Sequence, residues 1–325
     1  MATRRGFLAS LAALAAAGRT PPARANGWPQ QPVKIIMPFA PGGNNDGIGR
    51  PIAQRLSERL GSQFIVENRP VGMGTVAAEA VAHATADGYT LLWAALPQIA
   101  IFPAMTKVHY DPLKDFAPVS NIGSNPFILV VHPSVPATTL AQFVEYVRWQ
   151  PGKIAYGSGG TGTLTHLSMV LLSQRAGLDL IHVPYAGGDL AMADLIAGRT
   201  KAYFANLSEA IPPARAGTIR ALAISSPVRS AQLRDVPTVS ESGYPGFRMV
   251  TWNGILAPAG TPQDIIDRLA SEIALAVQQP DIVARLASYG VEPIGGTPEQ
   301  FAATIAEDIP LWTQAVKMAG LAPQQ

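Results

Sequence analysis

The chain has 325 residues, no cysteine, five histidines, and 24 basic against 22 acidic side chains, a formal net charge of +2. The missing cysteines exclude disulfides and thiolate metal sites. No basic tract resembles the clustered Lys and Arg that neutralise nucleic-acid phosphates. The first 25 residues read as an export leader: Arg4 and Arg5 open it, residues 9–17 form a short apolar stretch, and Ala23 and Ala25 are small residues at a cleavage site. The paired arginines followed by Phe7 and Leu8 resemble a twin-arginine signal, with an ordinary Sec signal as the other reading. The leader carries four arginines and no acid, so its removal leaves 20 basic against 22 acidic residues, a charge of −2. The apparent basicity therefore belongs largely to the leader. No later stretch reaches 18 uninterrupted apolar residues, so a soluble mature chain in the periplasm is expected. About 300 residues suffice for two modest cores.

The first strand is expected over residues 32–39, where Val33, Ile35, Ile36, Met37 and Phe39 are apolar, as in buried parallel strands. A Pro41-Gly42-Gly43 loop follows, then a helix over 48–60 with Ile48, Ile52, Leu56 and Leu60 at helical spacing. A strand at 64–67, a turn-rich stretch at 68–74, a helix at 75–86 and a strand at 89–94 continue the repetition that marks an α/β fold. The β-forming run 127–132, closed by Pro133 and Pro136, suggests a change of lobe. Beyond it, helices are expected at 139–149 (capped by Thr138 or Thr139), 164–176, 190–197 and 208–216. They alternate with strands at 154–158, 180–183, 202–204 and 219–225. Residues 252–257 read as the return strand, followed by helices at 263–278, 280–289 and 298–318. The economical reading is a discontinuous first lobe (26–128 and 246–325), a second lobe (129–245) and a cleft between them; one large α/β domain is the alternative.

Three loops stand out. Gly42 and Gly43 lie between a strand and a helix, where backbone amides and the helix N-terminus favour an anion. Asn44, Asn45 and Asp46 can cap the helix or meet a polar ligand. The second loop, 157–163, is rich in Gly, Ser and Thr and again joins a strand to a helix; its hydroxyls and amides can hold a carboxylate without a fixed counter-ion. The third follows His182: Val183-Pro184-Tyr185-Ala186-Gly187-Gly188. Gly-x-Gly-x-x-Gly and Gly-Lys-Ser/Thr are absent, and Tyr156 stands where a nucleophile elbow at Ser158 needs glycine. The histidines show no metal-binding spacing, and His166 reads as a packing or capping residue rather than a base. Phe39, Tyr185, Phe204 and Trp252 are aromatic candidates for the cleft, with Trp252, on the return strand, the strongest.

The ordered segments Val33–Asp46, Val66-Glu67-Asn68-Arg69-Pro70, Asp87-Gly88-Tyr89-Thr90-Leu91-Leu92 and Tyr110-Asp111-Pro112-Leu113 resemble the tripartite tricarboxylate transporter receptors, also called Bug proteins. So do His182-Val183-Pro184-Tyr185, Asp235-Val236-Pro237-Thr238 and Leu256-Ala257-Pro258-Ala259-Gly260-Thr261-Pro262. The resemblance covers essentially the whole mature chain. It implies two α/β lobes of the type II periplasmic binding fold. The lack of catalytic and metal-binding patterns in the residues points to a non-enzymatic receptor without metal; no cofactor is implied, and a monomer is expected. The implied ligand is a small organic carboxylate, a di- or tricarboxylate or an aromatic acid. A neutral amide or nicotinamide-like solute is the alternative. Carried over by position, the ligand residues would be Phe39, Ala40, Gly42, Gly43, Asn44, Asn45 and Asp46 from the first lobe. The second lobe would supply Ser158, Thr161, Thr163, His166, Pro184, Tyr185, Ala186, Gly187 and Ala205. Implied partners are integral membrane transporter subunits, or a sensor ectodomain if the receptor signals.

Four departures from the family pattern bear on specificity. Ala186 stands where lysine is common, Leu190-Ala191 replaces Pro-Ala, Ala205 replaces an acid, and Val71-Gly72-Met73-Gly74 replaces Gly-Ala-Gly-Gly. The missing acid disfavours an amino-acid ligand. Ala186 and Met73 suggest a less charged pocket, suited to an aromatic or hydroxylated carboxylate.

Overall fold

Strand β1 (Val33–Met37) is buried except at Lys34 and has parallel neighbours on both sides, β2 (Phe64–Asn68) and β3 (Thr90–Ala95). The computed structural model describes residues 27–323, so the expected leader lies outside the described residues. Between these strands run α1 (Asn44–Leu60) and α2 (Thr75–Ala82). After β3 a π-turn at Pro97–Ile101 leads into the short α3 (Phe102–Met105). Strand β4 (Phe116–Val131) is 16 residues long. Then come α4 (Leu140–Arg148), β5 (Ile154–Ser158), α5 (Leu164–Ala176), β6 (Leu180–Pro184), α6 (Gly188–Ile196), β7 (Ala202–Asn206), α7 (Leu207–Arg215) and β8 (Arg220–Ile224). The chain returns through β9 (Val250–Pro258) and ends with α8 (Gln263–Val277), α9 (Pro280–Ser288), β10 (Glu292–Pro293) and α10 (Pro298–Met318).

The strands form one continuous ladder in the order β2-β1-β3-β9-β4-β7-β5-β6, with β8 and β10 also pairing β4. The partner of β4 changes along its length. Phe116 to Pro126 runs antiparallel to β9. From Phe127 to Val131 it pairs β7, and from Ile128 it also pairs β8. The ladder therefore splits into two lobes at this strand, and β4 and β9 are the crossing segments.

Each lobe is a sheet covered on both faces, and strand alternation sends neighbouring side chains to opposite cores. In the first lobe Val33, Ile35 and Met37 face α1, α8 and α9. Ile36, Leu92 and Ala94 face α2 and α10. In the second, Phe127, Leu129 and Val131 meet α4 and α5, while Ile128 and Val130 meet α6 and α7. Threonine N-caps set several helix starts: the Thr139 hydroxyl accepts from Gln142 N, and Thr297 forms a reciprocal capping box with Gln300.

Helix α10 closes the back of the crossing. Buried Asp308 accepts from Trp252 Nε1 at 2.7 Å and from Arg248 Nη2 at 2.5 Å. Trp252 is fully buried and meets Phe301 edge-on at 5.0 Å. It is thus a core residue joining β9 to α10, and not the cleft aromatic expected of the return strand. Phe204, likewise fully buried, packs in the core.

Local differences from the expected elements have local causes. The first helix begins at Asn44, because Gly43 is extended and ends the loop. The helix expected to reach 86 stops at Ala82, before the turn that precedes β3. The segment 116–126 is strand despite Ser120, Asn121, Gly123 and Pro126, since pairing with β9 through two register shifts supplies its hydrogen bonds.

Candidate functional site

β1, β2 and β3 are mutually parallel, as are β7, β5 and β6, so the loops after each set gather at one sheet edge. Open α/β sheets place ligands outside these carboxyl ends. The two edges belong to different lobes and approach each other. A Cβ built on Gly162 lies 2.7 Å from Met105 Cε, and one on Gly290 lies 3.0 Å from Ser208 Cβ.

The first-lobe loop is organised by Asp46. Its carboxylate accepts from Gly42 N at 3.0 Å, Arg50 Nε at 2.8 Å and Asn68 Nδ2 at 2.9 Å. The bond from Arg50 is the main cause that holds this carboxyl down at about 2, against the opposing effect of burial. Asn68 Nδ2 also reaches Phe39 O at 3.0 Å, tying the end of β1 to the same cluster. Asn45 accepts from Trp93 Nε1 at 3.0 Å. Asp46 and Asn45 are therefore committed to shaping the loop. Ala40, Gly42, Gly43 and Asn44 are exposed on its outer surface, and Phe39 is half-buried against the core. The amides at the start of α1 have no intrahelical acceptor.

In the second lobe two loops interlock. Tyr185 N donates to Ser158 O at 3.0 Å, and the glycines allow close contact: a Cβ on Gly160 lies 3.3 Å from Tyr185 O, and one on Gly159 lies 3.3 Å from Gly188 N. Ser158 Oγ hydrogen-bonds His182 Nε2 at 2.7 Å. His182 stacks on His166 at 3.9 Å and on Tyr156 at 5.0 Å. His166 Nδ1 accepts from Gly162 N at 3.1 Å, which requires the neutral ring. Burial, with His182 alongside, pushes His166 down to about 4; burial also lowers His182. Thr163 Oγ1 donates to Gly160 O at 2.6 Å and caps α5. Ser158 is fully enclosed, so its contact with His182 braces the loop and presents no nucleophile to solvent. Thr161 is exposed, and among the described residues its hydroxyl and amide make no hydrogen bond. Tyr185 donates to Asp194 Oδ2 at 2.6 Å, Pro184 and Ala186 are exposed, and Gly187 precedes α6.

Ala205 is fully buried among Ile128, Ala191 and Leu207. Its side chain faces that core, which removes it from the cleft residues. An unexpected carboxylate sits nearby. Glu209, in the first turn of α7, accepts from Tyr203 OH at 3.3 Å and Asn206 Nδ2 at 3.2 Å, and burial raises its carboxyl above the usual range. A Cβ on Gly188 lies 2.5 Å from its Oε1, so glycine is what admits this carboxylate to the start of α6. The sequence signal for Glu209 is an acid in the first turn of a helix, which by itself suggests only a favourable dipole contact.

Between the lobes lies a cavity of about 350 Å³. Met73, Pro97, Ile101, Phe102 and Met105 line it from the first lobe, and Thr161 to Leu164 from the second. Of the expected ligand residues, Thr161 and Thr163 line it. The β1–α1 loop and the Pro184–Gly187 turn are gathered at the same edges but do not line this cavity. Pro97 to Met105 escaped the sequence reading because a π-turn gives no regular apolar period. Among the described residues no group of three His, Asp or Glu side chains is placed to hold a metal ion, and no helix is long and apolar enough to cross a membrane.

Residues 48–321 match the model of the tripartite tricarboxylate transporter family receptor. The chain belongs to this family. BugT of Bordetella pertussis is 34% identical over 309 residues, covering 94% of this chain and 95% of BugT. A protein of R. palustris solved with adipate is 35% identical with a TM-score of 0.72, covering 91% of this chain and 100% of that one. MatC from Rhodopseudomonas palustris with bound malate is 32% identical with a TM-score of 0.68, covering 89% of this chain and 100% of its own. The fold is that of a periplasmic binding protein with α/β lobes, as expected for type II architecture, and receptors of this family are periplasmic solute-binding proteins.

Proposed function

We propose that this receptor captures a small organic carboxylate between its lobes and delivers it for uptake, with no chemical turnover. The observation that carries the reading is the facing pair of strand edges, each bearing a glycine-rich loop, with an interlobe cavity that the second-lobe loop at Thr161 to Thr163 lines. Relatives of the same fold hold adipate and malate. The first lobe comprises 26–128 and 246–325 and the second 129–245, with β4 and β9 as the hinge. The β1–α1 loop, Thr161 and the Pro184–Gly187 turn offer amides and hydroxyls to the ligand. Asp46, Ser158, Thr163 and His166 hold those loops in shape. The protein acts as a monomer, and the closed form presents both lobes to membrane transporter subunits; delivery to a sensor ectodomain is the other outcome.

A thermal-shift panel on the protein purified from the periplasm and stripped of ligand by refolding tests this. A carboxylate present at 100 times its Kd stabilises by about 2.7 kcal/mol. A shift with an organic acid supports the reading. Shifts only with neutral amides, a second reading favoured by the absence of Lys and Arg from the cavity lining, would overturn it.

A further inference from the structure

We infer that the interlobe cavity selects a monocarboxylate carrying an aromatic ring or short aliphatic chain, and rejects a second carboxylate at that end of the ligand. The inference rests on the receptor reading above and assigns its substrate class.

Two observations carry it. The first is the cavity's chemistry. Its first-lobe wall is Met73, Pro97, Ile101, Phe102 and Met105, without a polar side chain, and no Lys or Arg occurs among its lining residues. A carboxylate pushed into such a wall loses water and gains no counter-charge. An apolar body gains in proportion to the area it buries. An apolar cavity of about 150 Å³ accepts benzene, so about 350 Å³ leaves space for a ring or chain. The methionine side chains can fit varied shapes. The open amide and hydroxyl of Thr161, at the cavity's second-lobe side, remain for the ligand's one carboxylate.

The second is the backbone at Met73. Gly72, Met73 and Gly74 have φ of 61°, 56° and 84°, and Met73 is the one non-glycine residue with positive φ among those described. Left-handed backbone is costly for a side chain with a Cβ. Met73 is also 60% exposed, so packing within the protein does not compensate for the strain. Buried Gln98 holds the conformation, with Nε2 donating to Met73 O at 2.9 Å. A strained, exposed apolar side chain held at the mouth of an apolar cavity is placed for contact with something other than the protein. Gln98 is a positioning residue for it.

The test is titration calorimetry with matched pairs on the ligand-free protein: hexanoate against adipate, and benzoate against terephthalate. Each pair shares a skeleton and differs in the second carboxylate. The monocarboxylate is expected to bind at least about tenfold more tightly in at least one pair. Met73→Gly removes the side chain and the strain together. It should retain or raise the Tm, weaken the monocarboxylate several-fold and narrow the ratio within the pair. A merely structural Met73 would leave that ratio unchanged. Met105→Lys supplies a cation and should shift preference toward the dicarboxylate. Dicarboxylates binding as tightly as their partners would overturn this inference and leave the receptor reading standing. Binding of neutral amides with silence from every acid would overturn both.

Discussion

Replacing Asp46 by Asn tests whether the β1–α1 loop is shaped from within by one carboxylate. Three donors converge on Asp46, from Gly42 N, Arg50 Nε and Asn68 Nδ2. An Asn side chain keeps one acceptor oxygen and presents an NH2 in place of the other, so either amide orientation sets a donor against a donor. A carboxyl lowered from 3.8 to about 2 corresponds to about 2.4 kcal/mol of preference for its charged form. The Asp46 side chain is 7% exposed but that of Arg50 is 49% exposed, so solvent screening reduces the figure to about 1–2 kcal/mol. Because the folded-state pKa is depressed, this stability is present above about pH 4 and is lost as pH falls toward 2. Urea unfolding of both proteins between pH 7 and 2 measures it. D46N should be less stable at pH 7 by about 1–2 kcal/mol, with the gap closing between pH 4 and 2, and its ligand affinity should fall as the loop loses its shape. Equal stability at pH 7, or a gap that stays constant down to pH 2, would refute the argument.

Other outcomes follow from the same geometry. In the folded state His166 is neutral, with its pKa near 4, while the unfolded ring takes up its proton near 6.5, so stability should fall as the pH is lowered from about 6.5 to about 4, by up to about 1.4 kcal/mol per pH unit. His166→Asn, whose side-chain oxygen can still accept from Gly162 N, should flatten this slope in pH-dependent melts; an unchanged slope would assign it elsewhere. Gly162→Ala places a Cβ 2.7 Å from Met105 Cε at a φ of 79°; it should cost about 1–2 kcal/mol and weaken ligand binding, whereas calorimetry showing full affinity would remove this contact from the closed site. Asp308→Ala leaves Trp252 Nε1 without its acceptor and Arg248 with only the longer contact to Glu307 at 3.4 Å, and should cost about 3 kcal/mol in chemical denaturation. Asp308→Asn should cost less, because burial pushes this carboxyl up to about 6 despite Arg248; equal losses would contradict that balance.

Much of the molecule is written in local pattern. Apolar runs at Val33–Met37 and Ile154–Ser158 and helical spacing at Ile48, Ile52 and Leu56 require no knowledge of distant residues, because side-chain period and burial are set within a few turns. The glycine-rich loops after β1 and β5 are legible for the same reason, as is a threonine cap at 138 or 139, which the structure gives to Thr139. Tertiary structure alone decided what those loops do. Asp46 is occupied because β2 brings Asn68 beside it, and Ser158 and His166 are enclosed because β6 sets His182 against them. Ala205 points inward because the register of β7 against β4 pairs it with Ile128. The apolar cavity joins Met73, Phe102 and Met105 to Thr161 and Gly162 across two lobes. Only the crossing of β4 and β9 brings those segments together, and that long-range pairing leaves no local period in the sequence.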